Sequence, residues 1–259
     1  MKKTHKFDNG IRVFDDQLLD IQRERYERKN VHEEDEEEVF VSQINSLPRG
    51  AVYANIGTAI GYYPLLAKKL RSDLKIHCFE PLPRHLEYFY KNIELNGFKE
   101  QDFTIHAVAI SLKTGKSTFK DNSYGSALSS EKQVKQSLIR CVKDIINTIM
   151  GKPVKGKSIT VRTLKLSEIF ELIQSDNIDF LQMDIQGFEE PVLDAYFSNS
   201  IHNGGKIIKF LVGSHGSEIH EKCKKHLENA GYRILHNEPD TDHQPDGILL
   251  GSLLEENQL

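Results

Sequence analysis

The chain has few cysteines, no long apolar run and no strong net charge, and each shortfall excludes a class of protein. Its three cysteines, Cys78, Cys141 and Cys223, are odd in number and far apart. They support neither a disulfide framework nor a zinc knuckle. No apolar run reaches the length of a membrane span, and the basic N-terminus lacks the apolar core of a signal peptide. We therefore predict a cytoplasmic protein without a membrane span.

The net charge of −4 gives no reason to expect a nucleic acid as partner. A length of 259 residues is enough to bury one α/β core, whereas two complete domains would be hard to accommodate. Length therefore favours one α/β domain, and the net charge does not point to a nucleic acid.

Strand and helix patterns alternate from residue 51 onward, which is typical of a parallel sheet with helices on both faces. We expect strands at 51–56, 74–79, 103–110, 178–183 and 206–213, and helices at 60–71, 83–96, 188–196 and 217–229. Two final strands, 231–236 and 247–251, are joined by a loop too short for a crossover helix, so they should pair antiparallel. The fold predicted is α/β: a doubly wound, seven-stranded, mostly parallel sheet with an antiparallel last strand.

Two segments lie outside that alternating pattern. Residues 1–48 are predicted to be a helical N-terminal extension, with a helix at 14–26 and another that ends before Pro48; residues 49–259 form the main domain. An irregular insertion is expected at 111–177, including a basic amphipathic helix at 131–150. Such a helix can touch membranes, but we interpret it as a lid or as the surface of a homo-oligomer.

A glycine-bearing turn follows the first strand and indicates the cofactor class. A dinucleotide site requires Gly-x-Gly-x-x-Gly, whereas here the glycines are Gly57 and Gly61 with alanine at position 59. A looser turn suits a ligand without phosphates, and S-adenosylmethionine is the common one. Glu80 ends the next strand, where a carboxylate can accept hydrogen bonds from both ribose hydroxyls. Taken singly, these residues could equally be turn glycines and a solvated glutamate.

Asn55 precedes the turn, at a position where many methyltransferases have an acidic residue facing the ammonium group of the cofactor. Its carboxamide oxygen can still accept that hydrogen bond, with less assistance from charge. We therefore include Asn55 among the cofactor-binding residues.

Asp184 and His215 each follow a later strand of the sheet. Because ligands bind at the carboxyl ends of parallel strands, both side chains should line one crevice, with Asp184 also near the reactive end of the cofactor. A histidine with a pKa near neutral suits a general base for a hydroxyl nucleophile, and Asp184 is the second candidate. Two alternatives stay open: His215 caps the next helix, or both residues share a divalent cation. The metal, if any, is unknown.

Two charged segments carry a weaker signal. His32 with the acidic run 33–38, and residues 243–247, have the composition of a solvated loop or charged helix face. The alternative is that they fold over the site, where a histidine-rich entrance suits a polar substrate.

Taken together, the motifs resemble the FkbM-type S-adenosylmethionine-dependent methyltransferases, a family of class I, Rossmann-like methyltransferases. The similar segments are 55–63, 79–81, 91–97, 107–111, 161–166 and 184–189. The resemblance implies cofactor contacts by Gly57, Gly61 and Glu80 and an active-site role for Asp184. The family commonly has aspartate where Asn55 stands.

Family members methylate hydroxyl oxygens, often on sugars. The resemblance therefore implies an O-methyltransferase that acts on a carbohydrate or glycoconjugate, with a glycan or small molecule as acceptor. Three alternatives remain: a methyltransferase for a non-sugar hydroxyl, an NAD(P)-dependent oxidoreductase, and a non-catalytic binding module.

Overall fold

The computed structural model describes residues 2–120, 158–198, 205–240 and 246–253. The helix expected at 131–150 lies outside these ranges, as do Cys141 and residues 243–245. No helix in the described ranges has the length and apolar character needed to cross a bilayer. Cys78 and Cys223 are buried and free.

A seven-stranded sheet forms the centre of the molecule. In spatial order its strands are β13 (Tyr232–Glu238), β14 (Gly247–Leu253), β12 (Lys209–Ser214), β10 (Phe180–Met183), β3 (Val52–Ile56), β4 (Lys75–Phe79) and β5 (Thr104–His106). Only β14 runs against its neighbours; the pairs from β12 to β5 are parallel. This order and the reversed last strand confirm the predicted sheet.

Helices cover the sheet on both faces, so successive residues of the inner strands are buried on opposite sides. Tyr53 and Phe180 belong to one core and stack on each other, while Ala54 and Leu181 belong to the other. The helices are α1 (Asp20–Arg28), α2 (Glu34–Ser46), α3 (Tyr62–Leu70), α4 (Pro83–Leu95), α5 (Ile169–Ile173), α6 (Glu189–Ser198) and α7 (Ser217–Asn229).

The N-terminal region differs in part from the helix expected at 14–26. A hairpin of β1 (Thr4–Lys6) and β2 (Arg12–Phe14) comes first, and α1 begins only at Asp20. The apolar residues near 14–19 suggested the start of a helix, but Phe14 belongs to strand β2 of the hairpin instead. Phe7 and Phe40 nevertheless share the core that contains Tyr53, so this region packs directly on the sheet.

The strand expected at 103–110 is broken. β5 stays in the main sheet, whereas β6 (Ala109–Ile110) joins a separate sheet with β7 (Gly115–Lys120) and β8 (Ser158–Leu164) in the order β6-β8-β7. The Val108 N–H donates to the His106 carbonyl and turns the chain between the two sheets. Two further short strands, β9 (Asn177–Ile178) and β11 (Lys206–Ile207), pair with each other. The described parts of 111–177 thus include β7, β8, α5 and the start of β9.

Candidate active site

Four of the predicted site residues meet at the carboxyl edge of the sheet. Asn55 is near the end of β3, Glu80 follows β4, Asp184 follows β10 and His215 follows β12. Because these strands are adjacent and parallel, their ends form one crevice, as expected for this topology.

The glycine turn brings the backbone of β3 against that of β10. Gly57 has a φ of 87°, and a Cβ there would overlap the backbone carbonyl of Asp184. Gly61 also has a φ of 87°, and a Cβ there would overlap the Phe89 ring. Only glycine combines a positive φ with such close approach. Both glycines thus have a packing reason in this structure, and their contact with the cofactor stays a prediction.

Glu80 is held rigidly beside the turn. Its Oε2 accepts the Ala59 N–H at 2.8 Å, and its Oε1 accepts the Leu82 N–H at 2.9 Å. The Nδ1 of His85 lies 3.3 Å from Oε1. Each carboxylate oxygen can accept more than one hydrogen bond, so a fixed pair of acceptors remains for a diol.

Gln182 connects Asn55 to Glu36, a member of the acidic run 33–38. Its Oε1 accepts from the Tyr53 hydroxyl at 2.6 Å and from Asn55 Nδ2 at 3.1 Å, while its Nε2 donates to Glu36 Oε1 at 2.7 Å. These bonds fix the Asn55 amide so that its buried Oδ1 is left without a hydrogen-bond partner. A buried acceptor without a hydrogen-bond partner is rare in folded proteins, which makes this oxygen a candidate for a ligand contact.

The acidic run is only partly a solvated face, which corrects the first interpretation of 33–38 for half of its residues: Glu34, Asp35 and Glu38 are exposed. Glu33, Glu36 and Glu37 are buried, with Glu36 only 1% exposed. They share the helical face of Phe40 and Ile44, which belong to the core. In the sequence, Glu36 and Glu37 precede Phe40 by four and three residues, and this helical spacing places them on the same face as that apolar residue. His32 is likewise a packed residue, because its ring contacts Phe7 and Tyr62.

His215 is surrounded by carboxylates. Its Nε2 lies 3.1 Å from Asp246 Oδ1 and 3.5 Å from Asp184 Oδ1, and its Nδ1 lies 3.2 Å from Glu189 Oε1. Neither ring nitrogen makes a well-aligned hydrogen bond, so these contacts act mainly through charge. The predicted proximity of His215 to Asp184 is confirmed. Asp246, from the segment 243–247 that was expected to be either solvated or folded over the site, also joins the cluster.

The charges in this cluster change the predicted chemistry of His215. Burial lowers its pKa, but Asp246, Glu189 and Asp184 raise it by more, and the net pKa is well above the ordinary value. Desolvation and neighbouring carboxylates raise the pKa of Asp184 to about 6 and of Asp246 to about 7, against an opposing effect of His215. At neutral pH the imidazole is therefore a cation rather than a ready base.

Glu189 shapes the loop after β10. Its Oε1 accepts the backbone N–H groups of Ile185 and Gly187 at 2.9 and 3.1 Å. Donor atoms of Asp184, Glu189 and His215 lie within 4.8 Å of one another, a spacing that a metal ion could bridge. Since that Glu189 oxygen already accepts two N–H groups, its first role is to hold the loop that carries Asp184.

Solved structures with related architecture have low sequence identity to this chain. The precorrin-6y C5,15-methyltransferase of Geobacter metallireducens GS-15 is 14% identical, with a TM-score of 0.46 over 84% of this chain and 87% of that chain. M. capricolum TrmK, in complex with S-adenosyl-homocysteine, is 13% identical, with a TM-score of 0.43 over 84% and 71%. Sp1610 of Streptococcus pneumoniae, a putative tRNA (m1A22) methyltransferase in complex with S-adenosyl-L-methionine, is 11% identical, with a TM-score of 0.45 over 85% and 75%.

No curated protein sequence gives a significant match. The family model of the methyltransferase FkbM domain, in contrast, matches residues 52–234. This range covers the glycine turn, Glu80, Asp184 and His215, and it exceeds half of the chain. The chain therefore belongs to the FkbM methyltransferase family, whose cofactor is S-adenosylmethionine.

Proposed function

We propose that this methyltransferase modifies a hydroxyl oxygen of a carbohydrate or glycoconjugate. The observation that carries the proposal is the cluster of Asp184, Asp246 and His215 beside the glycine turn. A hydroxyl is a weak nucleophile at neutral pH and must lose its proton as it reacts, so it needs a base within reach. The choice of a carbohydrate rests on the family resemblance. The family assignment argues against the oxidoreductase alternative.

The residues around the turn fit the cofactor. Glu80 offers paired acceptors for the ribose diol, and Asn55 Oδ1 is a buried acceptor without a partner. When bound, S-adenosylmethionine supplies a methyl group on a sulfonium, and the acceptor oxygen takes that group as S-adenosylhomocysteine leaves.

Asp184 is better suited than His215 to accept the proton. The Asp184 side chain is 31% exposed, whereas that of His215 is only 5% exposed and carries a positive charge at neutral pH. In our proposal the acceptor hydroxyl gives its proton to the Asp184 carboxylate. His215 and Asp246 orient that carboxylate and set its charge. Holding the acceptor oxygen in line and close to the methyl carbon supplies much of the remaining rate.

The acceptor class can be tested with a panel of free sugars, glycans and non-sugar alcohols, each with and without a chelator. We expect methyl transfer to sugar hydroxyls and none to their deoxy counterparts. If the protein methylates only non-sugar alcohols, the acceptor is not a carbohydrate. If it binds the cofactor but methylates no acceptor, it is a non-catalytic binding module. A loss of turnover on chelation would support the shared cation at Asp184.

The ribose assignment predicts that Glu80→Ala weakens binding of S-adenosylhomocysteine by about 10- to 100-fold, because charge-assisted hydrogen bonds are lost. Calorimetric titration measures this directly. Glu87→Ala, on the exposed face of α4, is the control and should leave affinity unchanged. Full affinity in a folded Glu80→Ala protein would remove Glu80 from the ribose site.

A further inference from the structure

Glu36 is a buried carboxylate on α2. Its side chain reaches the crevice from α2, and its Oε1 accepts from Gln182 Nε2 at 2.7 Å. Within the described ranges it makes no ion pair with a lysine, arginine or histidine. A buried charge without a counter-charge is unfavourable, so such a carboxylate either keeps a proton or waits for a cationic ligand.

The groups around Glu36 add to its negative environment. Desolvation, then the charges of Glu33 and Asp184, and more weakly Asp246, raise the pKa of Glu36 well above its ordinary value. A Cβ at Gly213, at the end of β12, would lie 3.4 Å from Asp184 Cβ and 3.8 Å from Glu36 Oε2. The Glu36 and Asp184 side chains thus converge over the same strand end. A cationic ligand bound beside Glu36 would supply the missing counter-charge.

The second observation is the orphaned Oδ1 of Asn55. Gln182 donates to Glu36 and accepts from Asn55, so the two residues are separated by one bridging amide. The site therefore offers one carboxylate and one neutral acceptor, both buried, next to the glycine turn. An ammonium group matches this pair because it has three N–H donors and a positive charge. The amino-acid end of the cofactor carries such a group.

We propose that Glu36, together with Asn55 Oδ1, binds the α-ammonium group of the cofactor. This inference rests on the cofactor assignment and is independent of the acceptor. It gives the N-terminal region a direct role in cofactor recognition: α2 supplies the carboxylate charge that Asn55, an amide on β3, does not provide.

The test is calorimetric binding of S-adenosylhomocysteine and of its deaminated analogue, in which hydrogen replaces the α-ammonium group. Glu36→Gln keeps an oxygen that can accept from Gln182, but it removes the charge. We expect this variant to bind S-adenosylhomocysteine about 10- to 100-fold more weakly and to bind the deaminated analogue as the natural protein does. Glu37→Gln is the matched control. Glu37 is also buried on α2, but it bonds Tyr62 and Asn9, so its substitution should leave both affinities unchanged.

A compensating exchange sharpens the test. In the double variant E36Q/N55D the carboxylate moves from α2 to β3. The Gln182 amide can then turn over, with its Nε2 donating to the new carboxylate and its Oε1 accepting from the new amide. The Tyr53 hydroxyl accepts instead of donating. We expect the double variant to recover most of the affinity for S-adenosylhomocysteine.

Several results would overturn the inference. Equal weakening of both ligands by E36Q would make Glu36 a purely structural residue. An unchanged affinity in E36Q would remove it from the cofactor site. If E36Q leaves the ratio of the affinities for S-adenosylhomocysteine and its deaminated analogue unchanged but abolishes Mg²⁺ binding, Glu36 is a metal ligand instead. Failure of the natural protein to bind S-adenosylhomocysteine is a separate outcome, because it would contradict the cofactor assignment itself.

Discussion

Asp184→Asn is expected to lower turnover by about 10²- to 10⁴-fold, the range typical for loss of a general base, while S-adenosylhomocysteine binds nearly as before. The carboxamide has nearly the same shape as the carboxylate but cannot accept the hydroxyl proton. In the natural protein Gln186 Nε2 donates to Asp184 Oδ1 at 3.1 Å, and the carboxamide oxygen of the variant can still accept this hydrogen bond. Single-turnover rates with saturating acceptor measure the chemical step separately from product release.

The same assignment predicts a pH dependence. Desolvation and nearby carboxylates raise the pKa of Asp184 to about 6. The base works only when it is deprotonated, so the single-turnover rate should rise with pH through about 6 and then level off. In Asp184→Asn that rise should be absent. A profile of the natural protein that is flat or falls between about pH 5 and pH 7 would contradict Asp184 as the base.

His215→Asn is expected to reduce turnover at neutral pH by about 10²-fold or more, without weakening cofactor binding. The cationic imidazole lies 3.5 Å from Asp184 and 3.1 Å from Asp246. Without its charge, the carboxylates repel one another, and the pKa of Asp184 should rise further. More of the base is then protonated at neutral pH, and the orientation of its carboxylate is lost.

The pH profile separates this positioning role from direct base catalysis by His215. If His215 holds Asp184 in its charged form, the rate of His215→Asn should recover in part as the pH increases, with a midpoint above that of the natural protein. If His215 is the base itself, the loss should persist at every pH. A turnover equal to that of the natural protein would remove His215 from the mechanism.

The central sheet and most of the site could be predicted from the sequence because they rest on local patterns. The glycine turn, Glu80 and Asp184 each follow a recognisable apolar strand, and parallel topology then brings strand ends together. The final hairpin was also predictable, since its connecting loop is too short for a crossover helix. These features depend on short-range spacing and on a small set of allowed topologies.

The remaining site residues depend on long-range packing. Glu36 is far from Gln182 along the chain, and nothing in the acidic run alone identifies which face of α2 is buried until its apolar partners are considered. Asp246 follows a segment of polar residues and joins the site only because β14 is inserted beside β12. The pKa of His215 depends on three carboxylates from two other segments, the one that follows β10 and the one that precedes β14, so its charge state could not be inferred from its own neighbours in sequence.

The most direct test of the account is the chemical identity of the methylated atom. The protein would be incubated with S-adenosylmethionine carrying a ¹³C-labelled methyl group and with the acceptor panel, and the product examined by carbon–proton correlation NMR. We predict a methyl ether on a sugar hydroxyl, formed by the natural protein and lost in Asp184→Asn. A label found on nitrogen or carbon, or formed equally well by Asp184→Asn, would contradict O-methylation assisted by this cluster.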